Sequence, residues 1–302
     1  MSREGFRRTI RGKGPLDLKT HPSKKHEGEI LTIAKSAVVM VAPTTPIYDA
    51  IQIMTKKGFR RLPIANPGTK HLEGIVTATD IVDYLGGGKK FEIIQQKFGG
   101  NFFKAINEPI KLIMTQKVVS IRTSAKINEA IMKMKEANLG GLPVVDDKDS
   151  VKAIITERDI ANLFADRTSG IKVAQLMSEK VVTALPKTTI FEAEKTMATQ
   201  GFRRLPIVSD GKVMGIITAM DIIRFFGSGA VFKHLRSGTI IQVLNTPALE
   251  IAAKTVSTIE PDADVGQAAK LMREKDIGAV PVVQTGKLVG IVTERDFFKI
   301  IE

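Results

Sequence analysis

Four copies of one short motif contain the residues best placed to bind a ligand. Each copy starts with a small residue, runs through two β-branched apolar residues to a threonine, and has an aspartate three residues later. The copies occupy residues 74–80, 153–159, 215–221 and 290–296. This pattern predicts a buried strand that ends at the threonine and a short helix with the aspartate at its N-cap. Such a strand end, facing a helix N-terminus, can hold phosphates and sugars with backbone amides.

The residue types of the motif suit a nucleotide. An aspartate at a helix start can accept hydrogen bonds from both ribose hydroxyls, and a threonine hydroxyl suits a phosphate. The candidate residues are Thr77, Asp80, Thr156, Asp159, Thr218, Asp221, Thr293 and Asp296. The alternative is that each aspartate is only a helix cap, which contributes about 1 kcal/mol.

A phosphate also needs a cation, for which a forked guanidinium is well suited. Copies one and three have an arginine pair at the start of the preceding strand, Arg60-Arg61 and Arg203-Arg204. Copies two and four have Gly140-Gly141 and Gly278-Ala279 there, but place Arg158 and Arg295 beside the aspartate. We therefore predict that each site combines parts of two copies. The alternative is that the arginine pairs are surface charge or ion-pair partners.

The elements around each motif form a repeat of β-α-β-β-α order, about 60 residues long. In the first repeat we expect a strand at 38–41, a threonine-capped helix opening at 44–49, and a closing helix at 81–85. Pro63, Pro143, Pro206 and Pro281 start the third segment, where a short strand tolerates proline. Met54, Met132, Met197 and Met272 are expected in the core.

The repeats are related in pairs. Residues 58–64 and 201–207 are identical, as are 156–159 and 293–296, so a pair of repeats was duplicated. The predicted fold is α/β (α+β). The predicted boundaries are an arm at 1–29, repeats at 30–88, 110–167, 168–228 and 248–302, and connectors at 89–109 and 229–247.

Composition places the chain among soluble globular proteins, because 43% of its 302 residues are hydrophobic and 25% are charged. No segment has the length and apolar character of a membrane span or signal peptide. Cysteine is absent, which favours a cytoplasmic protein. His21, His26, His71 and His234 are scattered, so no metal site is predicted.

The net charge of +13 is concentrated near the N-terminus. Residues 1–25 contain eight basic residues against two acidic ones, a net of +6. The basic residues are Arg3, Arg7, Arg8, Arg11, Lys13, Lys19, Lys24 and Lys25. This arm is predicted either to contact RNA, the ribosome or DNA, or to be a solvated tail.

The motif and its proline strand resemble the CBS domain, the repeat named after cystathionine β-synthase. Four repeats over residues 30–302 resemble two Bateman modules of a stand-alone archaeal protein. The resemblance implies a disc-like assembly that senses AMP, ADP or ATP in clefts between paired repeats, as in the γ subunit of AMP-activated kinase.

Two functions remain open. One is a regulatory sensor of adenine nucleotides that needs no cofactor and signals to an unknown protein partner. The other is a nucleic-acid-binding protein that uses the arm, with the repeats as a dimerising scaffold or nucleotide gate. An enzyme is not predicted, because the sequence shows no nucleophile–base set. Whether the two modules close on each other or pair across a homodimer stays open.

Overall fold

The computed structural model describes residues 29–229, 231 and 238–301. All eight candidate cations of the basic arm lie outside this part of the chain, as do residue 230 and residues 232–237 of the second connector. A search of the described residues finds no helix with both the length and the apolar character that spanning a bilayer requires.

Each repeat contains the same four elements, which we name the opening helix, the proline strand, the threonine strand and the closing helix. Those of repeat 1 are Ile47–Lys57, Arg61–Ala65, Leu72–Thr77 and Ala78–Val82. Those of repeat 2 are Ile127–Glu136, Gly141–Val145, Val151–Thr156 and Glu157–Asn162. Those of repeat 3 are Ile190–Gln200, Arg204–Ser209, Lys212–Thr218 and Ala219–Gly227. Those of repeat 4 are Val265–Glu274, Ala279–Gln284, Lys287–Thr293 and the 3₁₀ helix Glu294–Ile300.

Shorter elements connect these repeats. A π-helical turn, Asp83–Gly87, continues the closing helix of repeat 1, and a 3₁₀ turn spans Ile110–Leu112. The remaining short helices are Ile30–Ile33, Phe91–Phe98, Phe102–Ile106, Val173–Leu176, Ile240–Leu244 and Ala248–Ile251.

The first strand of each repeat is short, and that of repeat 1 is shorter than the sequence predicts. Repeat 2 keeps a strand, Ile121–Arg122, which runs parallel to its proline strand. The other repeats make one parallel bridge each, through Val41, Ala184 and Ile259. The predicted strand at 38–41 was therefore wrong in extent, because only its last residue pairs with the sheet.

Two predictions about the opening helices, the threonine cap of repeat 1 and the burial of Met132, were wrong. The helix of repeat 1 begins after Pro46 and has no side-chain cap, so the predicted threonine cap was wrong. Its predicted end at Gly58 is confirmed by a left-handed φ of 67°. In repeat 2, Met132 is exposed and Met134 is buried instead, because the buried stripe of that helix runs through Ile127, Ala130 and Ile131.

Proline is tolerated in the proline strands because the residue opposite each one forms its backbone hydrogen bonds on its other side. Pro63 lies opposite Ile75, whose N–H and carbonyl both bond to Thr115. The proline therefore removes no donor that the ladder would use. The same arrangement recurs opposite Pro143, Pro206 and Pro281, where Ile154, Ile216 and Ile291 bond to Lys35, Ala253 and Ser178.

These outer partners show that neighbouring repeats exchange their leading segments. Lys35, which precedes the opening helix of repeat 1, pairs with the threonine strand of repeat 2, and Thr115, which precedes the opening helix of repeat 2, pairs with the threonine strand of repeat 1. In the same way, Ser178 of repeat 3 pairs with the threonine strand of repeat 4, and Ala253 of repeat 4 pairs with the threonine strand of repeat 3. In repeat 1 the glycine that starts the motif allows this approach, since a β-carbon on Gly74 would lie 2.6 Å from the Met114 sulfur.

The described residues divide into two compact units, each with its own core. The odd unit contains repeats 1 and 3, in Val39–Val118 and Val182–Val256. The even unit contains repeats 2 and 4, in Val119–Val181 and Ser257–Glu302, with the described part of Met1–Val38. In both units the opening helices supply core residues, including Met54 and Met197 in one and Met134 and Met272 in the other. Each compact unit thus contains two repeats of the same type, both odd or both even. The exchanged leading segments, in contrast, pair with the repeat that is the neighbour along the chain.

Candidate functional site

A Thr–Asp capping box joins the threonine strand to the closing helix in every repeat. Thr77 is the N-cap and Asp80 the third helical residue, so the predicted N-cap role of the aspartate was wrong by three positions. One carboxylate oxygen, Oδ2, accepts from the threonine N–H at 2.8–3.0 Å and from its hydroxyl at 2.6–2.8 Å in all four copies. The threonine, fixed at a strand end, thus sets the orientation of the carboxylate.

The other carboxylate oxygen, Oδ1, accepts a hydrogen bond from a cation in repeats 1, 3 and 4. Asp80 Oδ1 accepts from Lys90 Nζ at 2.6 Å, and Asp296 Oδ1 accepts from Lys299 Nζ at 2.6 Å. Asp221 Oδ1 accepts from Arg224 at 2.9 Å. Since Oδ2 is committed to the threonine, Oδ1 is the oxygen of the box that a ligand hydroxyl would use. These three cations were not among the residues predicted from the sequence.

The arginine pairs of the odd repeats lie beside the capping box of their own repeat. Arg61 is opposite Thr77 in the strand register, and Arg204 is opposite Thr218. The carbonyls of Arg60 and Arg203 each accept from the first N–H of the closing helix, at 2.9 Å. A phosphate contact by Arg60, Arg61, Arg203 and Arg204 stays a prediction.

The arginines of the even repeats make reciprocal ion pairs between repeats 2 and 4. Arg158 Nε donates to Glu294 at 2.7 Å, and Arg295 Nε donates to Glu157 at 2.5 Å. Arg158 also pairs with Asp276, and Arg295 also bonds to Asn138. Their predicted role as phosphate ligands stays a prediction, and the structure shows that a phosphate would compete with carboxylates for both guanidinium groups.

Both glutamates of these reciprocal ion pairs, Glu157 and Glu294, are buried, so solvent screens the attraction between the paired charges only weakly. Burial alone would lower the pKa of Arg158, but the charge and hydrogen bond of Glu294, together with Asp276, raise that pKa above its ordinary value. Glu157 and Glu294 were missed in the sequence. Their signal is the Thr-Glu-Arg-Asp of the even repeats, where the odd repeats have alanine after the threonine.

Glu194 is a second missed residue, in the opening helix of repeat 3. Its side chain is fully buried, and neither carboxylate oxygen has a hydrogen-bond partner. Burial raises the pKa of this carboxyl well above its ordinary value. Aligned opening helices would have revealed it, because the equivalent residues Ile51, Ile131 and Ala269 are apolar.

The candidate residues do not form a metal centre. Across residues 29–229, 231 and 238–301, no three His, Asp or Glu side chains are grouped so that they could hold a metal ion.

Comparison with known proteins matches the repeats to one family. The model of the CBS domain matches residues 29–87, 110–166, 173–228 and 248–302. Protein MJ1225 from Methanocaldococcus jannaschii is 37% identical over 273 residues, which cover 89% of this chain and 98% of that protein. Its crystal structure, proposed as an archaeal homolog of g-AMPK, superimposes with a TM-score of 0.84.

Two further relatives have similar length. A 33.4 kDa protein in the ribosomal RNA operon of Thermofilum pendens is 32% identical, over 86% of each chain. A conserved protein from Pyrococcus horikoshii is 20% identical and has a TM-score of 0.57, over 89% of this chain and 97% of that one, so it supports the fold alone. The family model covers most of the chain and MJ1225 covers nearly all of it, so this protein belongs to the CBS-domain family and contains four CBS repeats.

Proposed function

We propose that this protein is a non-catalytic regulator that binds adenine nucleotides through its Thr–Asp capping boxes. The observation that carries the proposal is the four-fold recurrence of a box that commits one carboxylate oxygen to threonine, while the other oxygen accepts from a cation in repeats 1, 3 and 4. A ribose supplies two adjacent hydroxyl donors, which suit such an oxygen. A sugar-only ligand would not explain the arginine pairs beside two of the boxes.

The phosphates of the ligand would be held by guanidinium groups. In the odd repeats Arg60, Arg61, Arg203 and Arg204 lie at the strand ends nearest the boxes, and forked donors suit phosphate oxygens. AMP, ADP and ATP all fit this description, since arginine pairs accept one to three phosphates. The nucleotide is a ligand of the regulator and takes part in no reaction.

Regulation follows if the occupied and empty proteins differ in affinity for a partner. Each capping box begins a closing helix, and in the odd unit the closing helix of repeat 3 packs on the opening helix of repeat 1. A ligand that shifts a closing helix therefore acts on a core shared by two repeats. Nucleotide binding changes the affinity for a partner only if the nucleotide interacts differently with the two conformations of the protein.

The test is calorimetry with AMP, ADP, ATP and S-adenosylmethionine. Two double variants, Asp80→Asn with Asp221→Asn and Asp159→Asn with Asp296→Asn, remove the charge of two boxes but keep a capping oxygen. The exposed Asp210→Asn is the matched control. We expect at least one double variant to weaken binding by roughly tenfold or more, the factor typical of a lost charge-assisted hydrogen bond. An unmodified protein that binds none of the four compounds, or double variants that bind like the control, would refute the proposal.

The basic arm supports a second candidate function, binding of RNA or another polyanion. Its net charge of +6 in 25 residues is more than an adenine-nucleotide sensor needs. The two functions are compatible, because the arm precedes the repeats and shares none of their candidate residues.

A further inference from the structure

Two lysines reach equivalent positions in different repeats from different places in the sequence. Lys90 follows Asp80 by ten residues, whereas Lys299 follows Asp296 by three. Lys90 Nζ donates to Asp80 Oδ1 at 2.6 Å and to the Ile113 carbonyl at 2.8 Å. Lys299 Nζ donates to Asp296 Oδ1 at 2.6 Å and to the Leu176 carbonyl at 2.9 Å. We call each arrangement a lysine bridge, since the ammonium spans a box aspartate and an exchanged segment.

The two carbonyl acceptors are equivalent. Ile113 lies two residues before Thr115, which pairs with repeat 1, and Leu176 lies two residues before Ser178, which pairs with repeat 4. The same geometry is therefore built twice with lysines from unrelated positions. This recurrence indicates that a cation bound to the Oδ1 oxygen is a regular part of both capping boxes.

Local structure holds Lys90 in place. The Lys90 N–H donates to Asp83 Oδ1 at 3.1 Å, which closes the turn that follows the π-helical turn. A β-carbon on Gly88 would overlap the same carboxylate, so this tight turn requires glycine. Lys299 is placed differently, because residues three apart are eclipsed in a 3₁₀ helix such as Glu294–Ile300.

We propose that Lys90 sets the nucleotide affinity of repeat 1 by occupying the carboxylate oxygen that would otherwise accept the ribose hydroxyls, and that Lys299 does so in repeat 4. The inference rests on the proposed function. Because Oδ2 is committed to the threonine, ribose and lysine compete for Oδ1. The ligand must displace the ammonium, and its observed affinity is lower by the stability of the bridge.

We expect the bridge of repeat 1 to be the stronger of the two, because its lysine is better shielded from solvent, although Asp80 is 18% exposed against 9% for Asp296. The Lys90 side chain is 27% exposed, against 52% for Lys299, and ion pairs gain strength as solvent is excluded. Removal of Lys90 should therefore change affinity more than removal of Lys299.

The experiment uses adenosine, because a neutral ligand isolates the ribose contact from phosphate binding. The full chain carries Asp159→Asn, Asp221→Asn and Asp296→Asn, so that repeat 1 retains the unmodified box. Adenosine and AMP affinities are then measured by calorimetry with Lys90 intact, with Lys90→Met, and with the exposed neighbour Lys89→Met as control. We expect Lys90→Met to bind adenosine roughly fivefold more tightly, the factor for an ion pair of this exposure. Lys89→Met should match the chain with Lys90 intact.

Salt dependence supplies a readout that a merely structural lysine would not change. Between about 0.05 and 0.5 M NaCl the Debye length falls from more than 10 Å to under 5 Å, which weakens the bridge. With Lys90 intact, adenosine should bind more tightly as salt rises, and this dependence should disappear in Lys90→Met and in Lys90→Gln.

The outcomes separate the two proposals. Equal adenosine affinity and equal salt dependence in the Lys90→Met and Lys89→Met chains would overturn the lysine bridge alone, as would weaker binding by Lys90→Met. Failure of every variant chain to bind adenosine or AMP, while the unmodified protein binds AMP, would also overturn the lysine bridge alone. Failure of the unmodified protein as well would overturn the proposed function and the lysine bridge with it. The same comparison in a chain that retains only Asp296, with Lys299→Met against the exposed Lys287→Met, should give a smaller effect.

Discussion

The carboxylate of Glu194 in repeat 3 lies against Gly86 in repeat 1, in the space that a side chain at residue 86 would fill. The equivalent contact on the other side of the odd unit joins Gly227 to Ile51, with a β-carbon at Gly227 only 2.7 Å from the isoleucine methyl. The odd unit thus has two equivalent glycine contacts, one with an apolar side chain and one with a buried acid. This difference leads to the first two predictions.

Glu194 should make stability depend on pH. Below its ordinary pKa of 4.5 the carboxyl is protonated in both the folded and unfolded chains, so it contributes no pH dependence. Above that value the unfolded chain loses the proton while the folded chain keeps it, because burial raises the folded pKa. The free energy of unfolding should therefore fall as pH rises from about 4.5 toward the folded pKa.

Replacement of this acid should remove that dependence. We expect Glu194→Met to raise the free energy of unfolding at neutral pH by about 1–3 kcal/mol, because it removes an unsatisfied buried polar group at similar volume. Urea denaturation between pH 4 and 8 measures this, with the exposed Glu92→Gln as control. A Glu194→Met protein whose stability follows the same pH curve as the control would contradict the prediction.

Gly86→Ala should destabilise the protein by about 1–3 kcal/mol, because the new methyl group would overlap the Glu194 carboxylate and the Leu244 side chain. Gly229→Ala is the control, since its added β-carbon meets no atom of the described residues within 4 Å apart from its own neighbours in the chain. Part of the loss should be recovered when Gly86→Ala is combined with Glu194→Ala. A double-mutant cycle measures that coupling, and additive effects would show that the two residues do not interact.

The reciprocal ion pairs of the even unit should contribute more to stability than exposed pairs do. Arg158→Ala leaves Glu294 buried without its guanidinium, which should cost about 3 kcal/mol. Lys172→Ala removes a pair with Asp262 in which both side chains are exposed, and should cost less than about 1 kcal/mol. Denaturant midpoints compare the two variants, and similar losses would show that burial of Glu294 is unimportant.

Deletion of residues 1–28 tests the arm. RNA affinity should fall and its salt dependence should flatten, since each lost phosphate contact reduces the slope by roughly 0.7 for a single strand. AMP binding should be unchanged. Fluorescence anisotropy with a labelled RNA oligonucleotide measures the first effect and calorimetry the second, with exposed Lys56→Ala and Lys57→Ala as controls. Unchanged RNA affinity after the deletion would eliminate the second candidate function.

Much of the repeat could be predicted because its signals are local. Thr77 and Asp80 are three residues apart, and Pro63 identifies a short strand, although it is the third residue of Arg61–Ala65 and not the first as predicted, so the elements follow from sequence neighbours. The exact cap was missed because threonine and aspartate are both good N-cap residues. Only the backbone geometry of Thr77, which is extended, identifies it as the N-cap.

The remaining features depend on residues far apart in the chain. Alignment of the opening helices indicates that Glu194 occupies a buried position, but its contact with Gly86, more than a hundred residues earlier, leaves no local pattern. Lys90 resembles part of a basic connector, and its contact with Asp80 depends on a π-helical turn that propensities do not predict. The grouping of repeat 1 with repeat 3 has the same origin, since helix packing across repeats leaves no local pattern.

Each unit is built from chain segments that lie far apart in the sequence, and this affects the order in which the units fold during synthesis. Repeat 1 emerges from the ribosome long before repeat 3, with which it shares a core, and at about 5–20 residues per second the delay is on the order of ten seconds. During that time Ile51 and the other core residues of repeat 1 lack their native cover. The odd unit is complete once Val256 has been made, whereas the even unit still needs repeat 4. Nascent chains should therefore bind chaperones through repeat 1 first and acquire protease resistance in the odd unit before the even one.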